Sequence, residues 1–303
     1  MRIVLVGAVE STRVALEALV KSDVSPGMVV TLPQADLIRH SDAVDLAAMI
    51  AFDKTQILYT SDINSSETAS AISSYKPDLI FVIGWSQICK TPFRSLAKLG
   101  CVGYHPARLP RLRGRAVIPW TILTEEKITG STLFWLDDGI DSGGILLQET
   151  FEVTPDENAE SLYTKHMSAL RMMVPKAVTL IESGKPPRVV QDHSQATYCA
   201  RRRPEDGLIN WLDSATNIQR LIRAVGAPYP GAYTRFEGQI LHIDKAAFIP
   251  NSQQFVGLPG QVQTHTEPGF IVRCGDGICL EITSWRWRNG KRPIRHTVLG
   301  GDR

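Results

Sequence analysis

One histidine and one aspartate-rich turn stand where the chain could move a proton. His105 lies in the stretch Gly103-Tyr104-His105-Pro106-Ala107-Arg108-Leu109-Pro110-Arg111-Leu112-Arg113-Gly114-Arg115, at the end of the strand-like run 102–104. Three aspartates, Asp137, Asp138 and Asp141, lie in the turn-forming stretch Asp137-Asp138-Gly139-Ile140-Asp141-Ser142-Gly143-Gly144, between two further strand-like runs. Open α/β sheets bind ligands beyond the carboxyl ends of their strands. A carboxylate there would orient an imidazole and favour its charged form, an acid–base pair suited to moving protons on and off an amine. Each residue alone says less. A histidine is most often a satisfied structural group, the reading given to His40, His166, His193, His242, His265 and His296. An Asp- and Gly-rich turn is most often only a turn. Around His105, the guanidinium groups of Arg108, Arg111, Arg113 and Arg115 could hold a phosphate or carboxylate, as could Arg201, Arg202 and Arg203 further on.

The elements that must position these residues alternate between strand and helix patterns, which predicts a mostly parallel sheet flanked by helices, an α/β, Rossmann-like fold. Ile3–Val6, Val29–Leu32, Ile57–Tyr59, Leu79–Ile83, Val102–Tyr104, Thr132–Leu136 and Ile145–Glu149 read as strands. Thr12–Val20, Ala69–Tyr75, Pro92–Leu99 and Asn158–Glu182 read as helices. The breaker cluster Ser183-Gly184-Lys185-Pro186-Pro187 ends the last of them. After one more helix, Ser214–Val225, short β-type runs separated by Gly and Pro predict a small, OB-like β-barrel. We therefore expect one domain over 1–203 and a second over 204–303.

Several classes are excluded. No run approaches 18 apolar residues, so no membrane span is expected. The first turn, Gly7-Ala8-Val9-Glu10-Ser11, holds one glycine and no dinucleotide fingerprint, and no P-loop pattern occurs. The five cysteines (89, 101, 199, 274, 279) are scattered without a CxxC pair, which fits reduced thiols in a cytoplasm and no metal site. A net charge of +2 does not imply nonspecific nucleic-acid binding.

Together the stretches resemble the folate-dependent formyltransferases, a family that includes methionyl-tRNA formyltransferase, the sugar-nucleotide N-formyltransferases and, more distantly, glycinamide ribonucleotide transformylase. His105 to Pro110 with Arg113-Gly114 resembles the family's catalytic strand end, and Thr129-Gly130 with 137–143 its Asp loop. The resemblance extends over most of the chain, through Ile209-Asn210-Trp211 and 223–233 in the C-terminal part. It implies 10-formyltetrahydrofolate as donor, His105 and Asp141 as catalytic residues, and a pterin wrapped by Gly84, Trp85, Ser86, Gln87 and Ile88 together with Asp138, Gly139 and Ile140. Tyr104, Pro106, Arg108, Arg113, Arg115 and Arg202 are then expected at the substrate. One position departs: the family places an asparagine two residues before the histidine to donate to the developing oxyanion, and here that residue is Gly103. Loss of one such donor costs about 10²–10³ in rate. A backbone N–H near Gly103, the Tyr104 hydroxyl, or the side chains of Ser86 and Gln87 are the candidates to replace it.

The acceptor is read from charge. The stretch 32–45 holds one arginine against three aspartates, so it would neutralise almost no phosphate of a tRNA. The basic C-terminal group (Arg286, Arg288, Lys291, Arg292, Arg295) argues the other way. A small amine acceptor is favoured, best a nucleotide-linked amino sugar. An ornithine-type amine, methionyl-tRNA, and a non-catalytic folate-binding module are the alternatives, and a homodimer is allowed for. Trp211, Tyr229, Tyr233, Trp285 and Trp287 are read as core packing before base stacking.

Overall fold

The computed structural model describes residues 1–38, 42–50, 55–287 and 291–301. They divide into two compact units, one made of Met1–Val117, Glu126–Val153 and Leu162–Ala200, the other of Ile118–Glu125, Thr154–Ser161 and Arg201–Arg303.

In chain order the elements up to residue 200 are β1 (Ile3–Val6), α1 (Glu10–Lys21), β2 (Met28–Thr31), α2 (Gln34–Leu37), α3 (Ala47–Ile50), β3 (Gln56–Tyr59), α4 (Ser66–Tyr75), β4 (Leu79–Val82), α5 (Thr91–Arg94), β5 (Gly100–His105), β6 (Arg113–Gly114), α6 (Val117–Leu123), β7 (Ile128–Trp135), β8 (Ile145–Glu152), α7 (Ala159–Glu182) and β9 (Tyr198–Cys199). Seven strands form one sheet in the order β3-β2-β1-β4-β5-β7-β8. Pairing is parallel from β3 to β5, whereas β7 runs antiparallel to both its neighbours. The order reverses between β1 and β4, and His105 ends β5, the strand beside β4.

Strands β1, β2 and β4 are buried on both faces, which is why they read as unbroken apolar runs. Alternate residues divide between two cores. Ile3, Leu5, Leu79 and Phe81 pack with Leu16 and Leu19 of α1 and with Leu170, Val174 and Val178 of α7. Val4, Val6, Ile80 and Val82 pack with Ile72 and Phe93 on the other face. At this density the sheet is a stiff platform for its strand ends.

Three features depart from the sequence pattern. The helix expected over 92–99 is only Thr91–Arg94. A helix over Val117–Leu123 forms despite Pro119, because a proline in the first turn removes an N–H that has no intrahelical partner there. Two two-residue strands, β6 and β9, pair in parallel and join the 113–114 segment to residues 198–199.

In the second unit α8 (Ala215–Val225) is capped by Ser214, whose hydroxyl accepts from Asn217 N–H at 3.2 Å. It packs against an antiparallel five-stranded sheet. The order is β10 (Ala232–Phe236), β11 (Gln239–Phe248), β14 (Cys279–Arg286), β13 (Phe270–Arg273), β12 (Val262–His265). Trp211 is buried and donates to Thr234 Oγ1 at 3.0 Å, and Trp285 and Trp287 pack on Phe270 and Phe236. Those rings serve the fold.

Candidate active site

His105 is 5% exposed at the last position of β5. Its Nε2 lies 2.7 Å from the carbonyl oxygen of Leu112, and a carbonyl only accepts, so Nε2 carries a proton. The other nitrogen, Nδ1, faces Asp141 Oδ2 at 3.5 Å. A protonated ring therefore donates at both ends, while a neutral one turns a lone pair toward the carboxylate. The two residues that sequence reasoning singled out are brought together, and the arrangement can hold or pass one proton at Nδ1.

Each partner is fixed by local structure. Thr132 stands opposite His105 in the β5–β7 register. Its hydroxyl donates to Ala107 O at 2.7 Å and accepts from Gln148 Nε2 at 2.9 Å, which ties the turn after His105 down onto β7 and β8. Asp141 sits at φ +49° and its Oδ2 accepts from Gly114 N–H at 2.8 Å. Gly114 must be glycine: its φ is +103°, and a Cβ would stand 2.5 Å from the carbonyl oxygen of Cys199.

Of the residues expected at the pterin, Gly84 (φ +76°) turns the chain out of β4, and Ile88 and Ile140 are 67% and 53% exposed. The loops carrying those isoleucines are joined by Arg94, which donates to Cys89 O at 2.6 Å and pairs with Asp138. Hydrogen bonds from Arg94 and Thr91 hold the Asp138 carboxyl below its ordinary range. Gly139 closes the turn through its N–H to Asp137 Oδ1 at 3.1 Å. Trp85 packs against the core, with its buried Nε1 unpartnered among the described residues.

Other expectations are corrected. Gln87 is engaged at both ends of its amide, accepting from Ile63 N–H at 2.9 Å and donating one of its two N–H groups to Ser61 O at 2.6 Å, which ties its side chain to the 61–63 segment. The Tyr104 hydroxyl is buried between Ser131 Oγ at 3.0 Å and the carbonyl of His166 at 3.4 Å, because alternation along β5 sends it away from His105's surroundings. A side chain at Gly103 would require its neighbours to move: a Cβ would meet Leu136 Cδ2 at 2.6 Å and the Phe134 ring at 3.1 Å. Among the four candidate side chains and backbone groups, the exposed Ser86 hydroxyl has no partner among the described residues.

The arginines separate likewise. Arg113 is 1% exposed, with Nη2 and Nε on Gln191 Oε1 at 2.7 and 3.3 Å, Nη1 on Tyr198 OH at 3.1 Å and Nη2 also beside His193 Nδ1 at 3.1 Å. It is a buried strut with no reach to solvent. Arg111 pairs with Glu126, and Arg115 donates to the Ser86 carbonyl. Arg108 is exposed, and Pro106 is half-buried between the buried His105 and Ala107. In the second unit Arg202 donates to Asp206 O at 2.7 Å and lies 5.1 Å from the Trp120 ring centre; burial lowers its pKa. Arg286 pairs with Asp244 and Arg292 donates to Thr266 O, whereas Arg288 lies outside the described residues, as do Arg39 and His40.

Sequence reasoning missed Gln191, and it read His166 as a structural group. His166 is fully buried, its Nδ1 2.9 Å from Ser131 Oγ. Burial pushes the thiols of Cys89, Cys101 and Cys274 up to about 12, so none is a ready nucleophile. Among the described residues no cluster is placed to hold a metal, and no helix is long and apolar enough to cross a membrane.

Residues 1–178 match the profile of the formyl transferase family and residues 201–298 that of the formyl transferase C-terminal domain. A methionyl-tRNA formyltransferase of Syntrophus aciditrophicus is 35% identical over 99% of this chain and 96% of its own. Among solved structures, HypX from Aquifex aeolicus in complex with tetrahydrofolic acid superposes with a TM-score of 0.68 at 20% identity, over 95% of this chain and 44% of that one. An N-formyltransferase from Helicobacter canadensis in complex with folinic acid and dTDP-3-aminofucose gives 0.64 at 19%, over 93% and 99%.

Proposed function

This chain belongs to the formyl transferase family, and from that premise we propose that it transfers the formyl group of 10-formyltetrahydrofolate to the primary amine of a small acceptor. The observation that carries the reading is the His105–Asp141 pair, with Nδ1 3.5 Å from Oδ2 at a strand end and Nε2 already engaged. Catalytic hydrogen bonds are often this long before substrate tightens them.

The acceptor nitrogen attacks the formyl carbon, the bond from that carbon to the donor nitrogen breaks, the amine loses one proton and the departing nitrogen gains one. Protonated His105 steadies the charge that grows on the formyl oxygen and relays the proton to the departing nitrogen. Asp141 orients the ring and helps take the amine proton. The exposed isoleucines 88 and 140 offer apolar surface for a flat ring system, on loops that Arg94 holds together. With Gly103 bare, the Ser86 hydroxyl and the second Nε2 hydrogen of Gln87 are the side-chain donors left to supply the missing oxyanion contact.

A small acceptor is supported by the stretch after β2. In sequence, residues 32–45 carry one arginine, Arg39, against Asp36, Asp42 and Asp45, a poor grip for a phosphate backbone. The diphosphate of a nucleotide-linked amino sugar would rely on Arg108, because Arg111, Arg113 and Arg115 are engaged within the protein. A second reading, methionyl-tRNA as acceptor, is favoured by the name of the full-length relative. The test offers 10-formyltetrahydrofolate with amino-sugar nucleotides, with ornithine-type amines and with methionyl-tRNA, following tetrahydrofolate release and the formylated product. Turnover confined to small amines supports the proposal. Turnover confined to methionyl-tRNA overturns the small acceptor, and tight folate binding without transfer to any amine leaves only a binding module.

A further inference from the structure

The segment between the two family matches runs back across the site. After α7, the Pro187 carbonyl accepts from Trp135 Nε1 at 2.8 Å, and Arg188 lies 3.7 Å over that indole. Val189 and Ile145 exchange backbone hydrogen bonds at 2.8 and 2.9 Å, adding a short edge beside the start of β8. Gly144 permits this approach, since a Cβ there would stand 3.2 Å from the Arg188 backbone. Two residues on from that bridge, Gln191 is 3% exposed and points back at the turn holding Asp141. Its Nε2 donates to two carbonyls, Asp141 O at 2.9 Å and Gly143 O at 2.7 Å. Its Oε1 accepts from the buried guanidinium of Arg113. All its hydrogen-bonding capacity is directed at the two segments that carry the Asp141 carboxylate and the Gly114 N–H it accepts from.

We infer that Gln191 is a positioning residue for formyl transfer: it holds the 141–143 turn, with Asp141 in its left-handed conformation, so that Oδ2 meets His105 Nδ1. A non-glycine residue at positive φ persists only where its surroundings over-determine it, and the double amide donation supplies that constraint on the Asp141 carbonyl. The same strap reaches the other side of the ring. Thr197 Oγ1 accepts from Leu112 N–H at 2.8 Å, and Leu112 is the residue whose carbonyl anchors His105 Nε2. At the far end of the turn Gly143 packs against β7, where a Cβ would lie 1.7 Å from Trp135 O, and Trp135 N–H donates to Gly144 O at 2.9 Å.

The inference rests on the formyl-transfer reading, and its test keeps the two apart. Q191M removes both donations and the Arg113 acceptor. Q191E keeps an acceptor for Arg113 and turns the donor into a group facing two carbonyls, so it folds with the guanidinium still paired. Both variants are expected to lower kcat about 10–100-fold with KM for donor and acceptor within about twofold, the cost of misplacing a catalytic group by about an ångström. In the ¹⁵N-histidine spectrum of the full chain, the His105 ring signals should shift in both variants. D141N/Q191M should be no slower than D141N, because Gln191 acts through Asp141. Unmoved His105 signals, an unchanged kcat, or a further loss in the double variant by the factor seen in Q191M alone would each overturn it. A wild type without transferase activity refutes the formyl-transfer reading, while the histidine spectrum still decides whether Gln191 places Asp141 against His105.

Discussion

The carbonyl of Leu112 accepts a hydrogen bond from His105 Nε2 at 2.7 Å, which leaves Nδ1 as the nitrogen able to exchange a proton during a reaction. Asp141 is the group that meets it. His105→Ala removes both the proton carrier and the positive charge, and is expected to lower kcat by about 10²–10⁴. Asp141→Asn keeps the shape but presents an amide where the carboxylate stood, and is expected to fall nearly as far. Single-turnover rates of formyl transfer check both; wild-type rates in the two variants would remove this pair from the chemistry.

Gly103 stands two residues before the histidine, and its missing side chain is not a vacancy. Leu136 and Phe134 fill the direction a Cβ would take, at 2.6 and 3.1 Å. Gly103→Ala is expected to destabilise the protein by about 1–3 kcal/mol, the usual cost of overpacking, and Gly103→Asn by at least as much, without raising kcat. Urea unfolding and initial rates measure the two effects separately. A faster Gly103→Asn enzyme would show that Leu136 yields and that an amide can reach the reacting oxygen.

His105 and the Asp-rich turn were legible because they fell in Pro- and Gly-rich segments directly after apolar strand runs, where a parallel sheet presents its ligands, and the resemblance to a family motif picked Asp141 out of the turn's three aspartates. Strands β1, β2 and β4 were legible for the same kind of reason: burial on both faces demands continuous apolar side chains. Gln191 was not, since its role depends on a bridge to Ile145 and on carbonyls about 50 residues away, and a single glutamine after a Pro-rich breaker has no periodicity to betray it. Arg113 was misread for a related reason. In a row of arginines it looks like substrate-facing charge, and only the fold shows that one of the four is enclosed.

That enclosure makes Arg113 a stability residue. Its described partners are all uncharged in the structure's hydrogen bonds: Gln191, Tyr198 and the Nδ1 of His193. Arg113→Met would strand the Gln191 acceptor in the interior, at about 1–3 kcal/mol for the unsatisfied group. Arg113→Lys keeps the charge but cannot reproduce the forked contact with Gln191 Oε1. Both variants are expected to lower the thermal midpoint, with Arg113→Met the lower. Calorimetry tests this, and an unchanged midpoint in Arg113→Met would mean the guanidinium contributes nothing net to folding.

His166 ties stability to pH. Burial, with a smaller contribution from the nearby charge of His105, pushes its imidazole down to about 3 from an ordinary 6.5. Unfolded chains therefore take up a proton at this site near pH 6.5, and the folded protein takes it up only near 3. Between those values the unfolded state binds more protons, so folding stability is complete above the upper value and declines as the pH falls through the window. Each pH unit inside it costs at most about 1.4 kcal/mol. His166→Gln keeps a polar partner for Ser131 and removes the titration. Urea unfolding at pH 7 and pH 5 should show wild type losing about 1–2 kcal/mol more than His166→Gln over that interval. Equal losses in the two proteins would mean that the folded structure opens to hydrate His166 well before the pH reaches its buried value.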